Sequence, residues 1–185
     1  MGRKEVLKMI RITGGIYRSR KLETPNTGLT KPTMDKVRAA VFNALGYEIE
    51  NKKVLDLFSG SGSYGFEALS RNASYVSFVD NQKEAVDAIK KNAASLKENR
   101  FEVILSDSLS YLEKIDKQFN IVFMDPPYKL DVYQNALDLL EKNNLLANDA
   151  IIVLESEKEL AINENNYKKV KQYNYGLAKI YILRK

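Results

Sequence analysis

Lys53-Val-Leu-Asp-Leu-Phe-Ser-Gly-Ser-Gly-Ser-Tyr-Gly65 restricts the fold more than any other part of the chain. An apolar run, a turn holding three glycines and the first residues of a helical pattern follow one another without a break, which is how a βαβ unit begins. The alternation continues, with strands near 53–57, 75–79, 102–105, 119–124 and 149–154 and helices near 63–71, 82–97, 108–114 and 131–142. It predicts an α/β fold with a parallel sheet covered by helices on both faces. The tail departs from the pattern. Residues 167–173 and 178–183 read as two strands around Asn174-Tyr175-Gly176, the last running antiparallel to its neighbour. At 185 residues and 44% hydrophobic, the chain can bury one full core.

The segment ahead of this unit has a different character. Met9–Thr13 and Ile16–Leu22 read as two short strands about Gly14-Gly15, a basic hairpin carrying Arg11, Tyr17, Arg18, Arg20 and Lys21. Cations interleaved with an aromatic ring suit phosphate contact combined with base stacking. The plainer alternative is an exposed hairpin kept soluble by its charge. Pro32-Thr33 then opens a helix with Val37, Ala40, Val41, Ala44 and Leu45 at helical spacing, Thr33 as its N-cap, Asp35 in its first turn and Gly46 at its end. Arg38 on this helix joins the residues placed for phosphate contact, unless it belongs only to a solvated side. Residues 1–30 are therefore read as an extension and residues 31–185 as the main domain.

Charge is segregated. Residues 1–38 hold ten Lys/Arg against three acids, and residues 165–185 hold six against none, although the whole chain carries only +5. Two basic ends around an acidic middle point to a polyanionic partner. No run is long enough to span a membrane and Met1–Lys8 has no apolar signal core, so a cytoplasmic protein is expected. The absence of Cys and His excludes disulfides, the usual zinc sites and Ser-His or Cys-His nucleophiles. Chemistry is left to carboxylates, tyrosine, backbone groups or an organic cofactor.

Gly60, Gly62 and Gly65 form G-x-G-x-x-G after a strand, with Phe58 and Ser59 completing the turn, and Asp80 ends the next strand about 20 residues on, placed to accept from ribose hydroxyls. The glycines alone fit a dinucleotide or S-adenosylmethionine (SAM). Asp56 discriminates, because a carboxylate just before the turn disfavours a pyrophosphate and favours the ammonium group of SAM. Asp107 follows another strand and is placed to meet an adenine amino group, with an N-cap of the next helix as its rival role.

The fourth strand-end acid opens Asp125-Pro-Pro-Tyr128, directly after the apolar strand Ile121–Met124. Two prolines fix the backbone and leave carbonyls and the Asp125 carboxylate as acceptors. An exocyclic amino group on a base stacked against Tyr128 fits that array. Asp125, Pro126, Pro127 and Tyr128 are the expected catalytic group. In an open α/β sheet, Asp56, Asp80, Asp107 and Asp125 should converge on the crevice at the carboxyl ends of the strands.

Together Arg11–Leu22, Lys31–Asn43, Asp56–Arg71 and Asp125–Tyr128 resemble the RsmD family, bacterial methyltransferases that modify guanine N2 in 16S ribosomal RNA. Ser19, Ser59, Ser63-Tyr64 and Asn72 depart from its usual Gly, Ala, Ala-Leu and Gly. The resemblance implies a Rossmann-like, seven-stranded class I SAM-dependent methyltransferase with an N-terminal hairpin. It also implies 16S rRNA or the small ribosomal subunit as partner. SAM is the expected cofactor, and no metal, no membrane and action as a monomer are expected. Adenine-N6 methylation of DNA or RNA would use the same Asp-Pro-Pro-Tyr motif. An NAD-dependent oxidoreductase would leave that motif unused, and a non-catalytic RNA-binding protein would leave the acidic crevice unexplained.

Overall fold

The structure is a computed structural model that describes residues 9–25, 34–127 and 132–185. A hairpin of β1 (Met9–Arg11) and β2 (Lys21–Glu23) precedes helix α1 (Met34–Leu45). The alternating unit follows: β3 (Lys53–Leu57), α2 (Ser63–Ser70), β4 (Tyr75–Asp80), α3 (Lys83–Leu96), β5 (Phe101–Leu105), α4 (Ser108–Leu112), β6 (Phe119–Met124), α5 (Tyr133–Lys142) and β7 (Leu146–Ser156). Strands β8 (Lys169–Tyr175) and β9 (Ala178–Arg184) end the chain. Seven strands form one sheet in the order β5-β4-β3-β6-β7-β9-β8. The first five are parallel, and β9 lies antiparallel between β7 and β8. The expected parallel sheet with a reversed last strand is what forms.

Alternation along the strands sorts side chains to two faces. Val54, Phe78, Ile121, Phe123, Val153, Ile180 and Ile182 pack with Val41 and Phe42 of α1, Phe66 and Leu69 of α2, and Ile89 of α3. Leu55, Val79, Val122, Met124, Ile152, Leu154 and Leu183 pack on the other face with Leu112 of α4 and Leu137 and Leu140 of α5. Burial on both faces explains why the central strands read as unbroken apolar runs. Gly46, at φ +56°, ends α1 as its position suggests, and a short 3₁₀ turn follows. Pro32, Thr33 and Tyr128 lie outside the described residues.

The hairpin differs from its expectation. Its ladder pairs Met9 with Glu23, Ile10 with Leu22 and Arg11 with Lys21, and Ile12 adds bonds to the Arg20 carbonyl and from the Ser19 N–H, both 2.9 Å, so residues 13–18 form a loop rather than strands about Gly14-Gly15. The cause is tertiary. The Ile16 N–H donates to the Ser70 carbonyl at 2.8 Å, the Tyr17 N–H to Ser70 Oγ at 2.9 Å, and Ser70 Oγ to the Gly14 carbonyl at 2.5 Å. A Cβ on Gly15 would lie 1.8 Å from the Ser70 carbonyl oxygen, so only glycine allows this approach. Ile12 and Leu22, both fully buried, join the core of the α1–α3 face.

Beside this loop a charge cluster is sealed inside. Glu67, with no exposed surface, accepts from the Thr13 N–H at 2.8 Å and the Thr13 hydroxyl at 2.7 Å, and pairs with Arg71 at 3.0 Å and Arg38 at 3.4 Å. Arg38 also donates to the Arg11 carbonyl and to Asp35. Arg38, expected among the RNA contacts, is only 1% exposed and is therefore a buried tie between α1, α2 and the hairpin. Removing one member of a buried pair strands the other charge in low dielectric. Glu67→Ala should lower stability by about 3–5 kcal/mol, measured by urea unfolding, and a loss below about 1 kcal/mol would show the cluster to be dispensable.

Candidate active site

The crevice is built at the carboxyl ends of β5, β4, β3 and β6, adjacent strands whose terminal acids the order sets side by side. At the end of β3 the chain turns back with positive φ at Phe58 (+87°), Gly60 (+52°) and Gly62 (+77°) before α2 starts. Gly60 faces open space, with nothing within 4 Å of where a Cβ would be. Gly65 has a different role, since a Cβ there would lie 2.1 Å from the Phe78 ring. It lets α2 settle on β4.

The acids hold this turn from below and from the side. Asp56, 4% exposed, accepts the Gly65 N–H at 2.9 Å. Burial pushes its carboxyl up to about 7, opposed by the Gly65 N–H and reinforced by the charge of Asp80. Asp80 accepts the Gly60 N–H at 2.8 Å through one oxygen and the Gln82 N–H at 2.9 Å through the other. Ser59 turns inward, its hydroxyl donating to the Asp56 carbonyl at 2.5 Å and accepting from the Val79 N–H at 2.9 Å, which ties β3 to β4. Phe58 leans on the core of the α4–α5 face. Asp107 caps α4 through the Ser110 N–H at 2.9 Å, the rival role anticipated for it.

Across the sheet, Asp56 pairs in register with Phe123, and Asp125 follows two residues on. Asp125 is half-buried, while Pro126 is buried and Pro127 exposed. Two partners were not anticipated. Tyr64, buried and stacked on Phe123 with centroids 4.9 Å apart, donates its hydroxyl to Glu155 at 2.7 Å. Burial, then the charges of Glu155 and Asp125, push the pKa of that hydroxyl well up, so it stays a donor. The Glu155 carbonyl also accepts from the Tyr133 hydroxyl at 2.5 Å. Glu155 ends β7 as Asp125 follows β6, and applying the strand-end rule one strand further would have found it.

Arg11, Arg18, Arg20 and Lys21 are exposed, Arg20 also donating to the Ser95 carbonyl at 2.7 Å. Tyr17 is half-buried with its hydroxyl on Glu98 at 3.0 Å, so the ring is not the open stacking face anticipated. No group of three or more acids that could hold a metal occurs among the described residues, and no helix there is long and apolar enough to cross a membrane.

Residues 10–184 match the model of a family described as conserved hypothetical protein 95. The chain belongs to that family, which is the RsmD family its motifs resemble. Ribosomal RNA small subunit methyltransferase D of Escherichia coli strain K12 is 40% identical over 150 residues, 81% of this chain and 76% of that protein. The solved structure of Escherichia coli yhhF superposes with a TM-score of 0.87 at 35% identity, covering 96% of this chain and 98% of that one. A Thermus thermophilus 16S rRNA N2 G1207 methyltransferase, solved with AdoMet and guanosine, shares the fold at a TM-score of 0.76 and 19% identity, covering 97% of this chain and 50% of that one. The architecture is that of class I SAM-dependent methyltransferases.

Because Asp56 binds its proton more tightly folded than unfolded, its ionisation costs stability as pH rises. The cost is absent below about pH 4, the ordinary carboxylate range, and complete above about pH 7. Asp56→Asn, which keeps an acceptor for Gly65, should therefore gain stability relative to the native chain across that window. The gain should reach roughly 4 kcal/mol at most, read from urea midpoints of the cofactor-free proteins. Parallel stability curves from pH 4 to 8 would refute the buried-acid assignment.

Proposed function

We propose that this protein is a SAM-dependent rRNA methyltransferase that transfers a methyl group to the exocyclic N2 of a guanine in 16S rRNA, with the rRNA or the small ribosomal subunit as substrate. The observation that carries the reading is the register of β3 and β6. It sets the Asp125-Pro126-Pro127 turn beside the glycine turn, in a chain whose relatives are named rRNA methyltransferases. Such an enzyme works where ribosomes are assembled, in the cytoplasm, and the chain is read as acting as a monomer.

The crevice suits the cofactor. Gly60 leaves its outer side open, and Asp80, Asp56 and Asp107 line three successive strand ends. Asp80 would hold the ribose hydroxyls, Asp56 the ammonium group and Asp107 the adenine amino group, with Phe58, Ser59, Gly60 and Gly62 shaping the turn around them. SAM supplies an electrophilic methyl group on a sulfonium. The guanine amino lone pair is delocalised into the ring, so the protein's work is orientation. Asp125 and the Pro126 carbonyl accept the two amino hydrogens, which turns the lone pair toward the cofactor and stabilises positive charge developing on nitrogen. Asp125 is placed to take the released proton. Pro127 keeps the turn rigid, and Tyr128 stacks on the base once it leaves its RNA context.

Asp125→Ala should leave SAM affinity nearly unchanged while single-turnover methylation falls about 100-fold or more. Asp125→Asn should also be slow, because a neutral amide neither stabilises the charge as well nor accepts the proton. Single-turnover rates at saturating SAM and RNA isolate this step. Near-native rates in Asp125→Ala would reduce the motif to a rigid turn. Mass analysis of nucleosides from the methylated RNA identifies the base, and N6-methyladenine would overturn the guanine assignment.

A further inference from the structure

The basic carboxyl-terminal hairpin has no role in the site described above, yet the sheet carries it level with that site. On β7, Glu155 pairs with Ile180 of β9, and Ile180 pairs with Tyr173 of β8. Met124 pairs with Leu154, so Asp125 falls in the same row as Glu155. Side-chain alternation puts this row on the α1–α3 face, where Phe123, Val153, Ile180 and Tyr173 share one core. Asp125, Glu155, Ile180 and Tyr173 thus form one row across four neighbouring strands. Three strand spacings separate its ends, about 14 Å.

The far end of the row is aromatic and basic. Tyr173 and Tyr175, both half-buried, stack with centroids 6.4 Å apart and planes 17° from parallel. Lys171 and Lys169 continue the same face of β8 and are exposed. Of the six cations in residues 165–185, Lys168, Lys179, Arg184 and Lys185 are paired with Asp149, Glu159, Glu48 and Glu141. Lys169 and Lys171 form no ion pair among the described residues. The two unneutralised cations are therefore the two on the tyrosine face.

We propose that this stripe, Tyr173, Tyr175, Lys171 and Lys169, is a docking surface for single-stranded RNA flanking the target nucleotide. The inference rests on the rRNA reading above. Lysines on an edge strand also discourage edge-to-edge pairing. That role accounts for the lysines but not for a tyrosine stack that begins in the row of Asp125. Glu155 and Ile180 are themselves buried, so a strand leaving Asp125 follows the carboxyl edge beside this row, meets the rings on the edge strand as a stacking platform, and then runs its phosphates along Lys171 and Lys169.

The test uses the full chain and a short fluorescein-labelled single-stranded RNA with one guanine, followed by anisotropy over a range of salt concentrations and by methylation with SAM. Tyr173→Leu with Tyr175→Leu should weaken RNA binding about tenfold or more, while the two Tyr→Phe changes stay near native. Lys169→Gln with Lys171→Gln should reduce the slope of log affinity against log salt by about 1.4, roughly 0.7 for each phosphate that a lysine no longer neutralises. SAM-induced thermal shifts should remain native in all of them. Should the leucine variant fail to fold, the exposed lysine pair decides alone, and an unchanged slope there overturns the docking stripe. Native RNA binding and methylation in every variant overturns the stripe and leaves the enzyme reading standing. A native chain that neither binds nor methylates this RNA or unmethylated small subunits sinks the rRNA reading itself. A defect seen on assembled subunits but not on naked RNA would give the surface to a protein partner and overturn the RNA assignment.

Discussion

The reversal of strand order at β3 is the constraint on which the rest depends. After β3 the chain adds β4 and β5 to one side, then crosses back to place β6 on the other. The connection leaving β3 leads to α2 on one face, and the connection leaving β6 leads to α5 on the opposite face. The two turns therefore part and leave a cleft at the carboxyl ends, where ligands bind in open α/β sheets. Every polar group assigned to the chemistry hangs on that divergence. Asp56 and Asp125 come within one cleft only because β3 and β6 are neighbours, although 68 residues lie between the two acids.

Ionisable groups are taken out of water on both sides of α2. Under the glycine turn, Asp56 stabilises the helix start through Gly65 and carries a raised pKa for its burial. At the other end, Glu67 joins the hairpin, α1 and α2 through Thr13, Arg38 and Arg71. Buried ion pairs contribute less to net stability than their Coulomb attraction suggests, but a broken one is costly. The cluster therefore fixes how the hairpin and α1 seat on α2, and Tyr64, in the first turn of α2, reaches Glu155 beside the Asp125 strand end. Contacts through this one helix connect the hairpin to Glu155.

The segregated charges acquire meaning from this geometry. Acids of the central segment gather at strand ends. Among the described residues, cations of the two termini other than the buried Arg38 stay at the surface, four of them neutralised by carboxylates. Net charge alone could not separate the unpaired cations from the rest, because pairing depends on which acids the fold brings near.

The sequence by itself determined the layered architecture, the placement of four acids at strand ends, and the family. Apolar periodicity, glycine spacing and the Asp-Pro-Pro-Tyr motif are local signals, and local signals survive in one dimension. Asp125 and the glycine turn were legible for that reason. Arg38 was not, because a cation on a helix reads as solvated until Glu67, 29 residues away, is folded against it. Tyr17 and the loop around Gly14-Gly15 were misjudged likewise, since Ser70 takes backbone groups that a simple hairpin would leave to its own ladder and Glu98 takes the Tyr17 hydroxyl. The Tyr173 row became visible only with the sheet assembled. Strand register decides which side chains stand abreast, and register is set by packing across the sheet rather than by any one strand's residues.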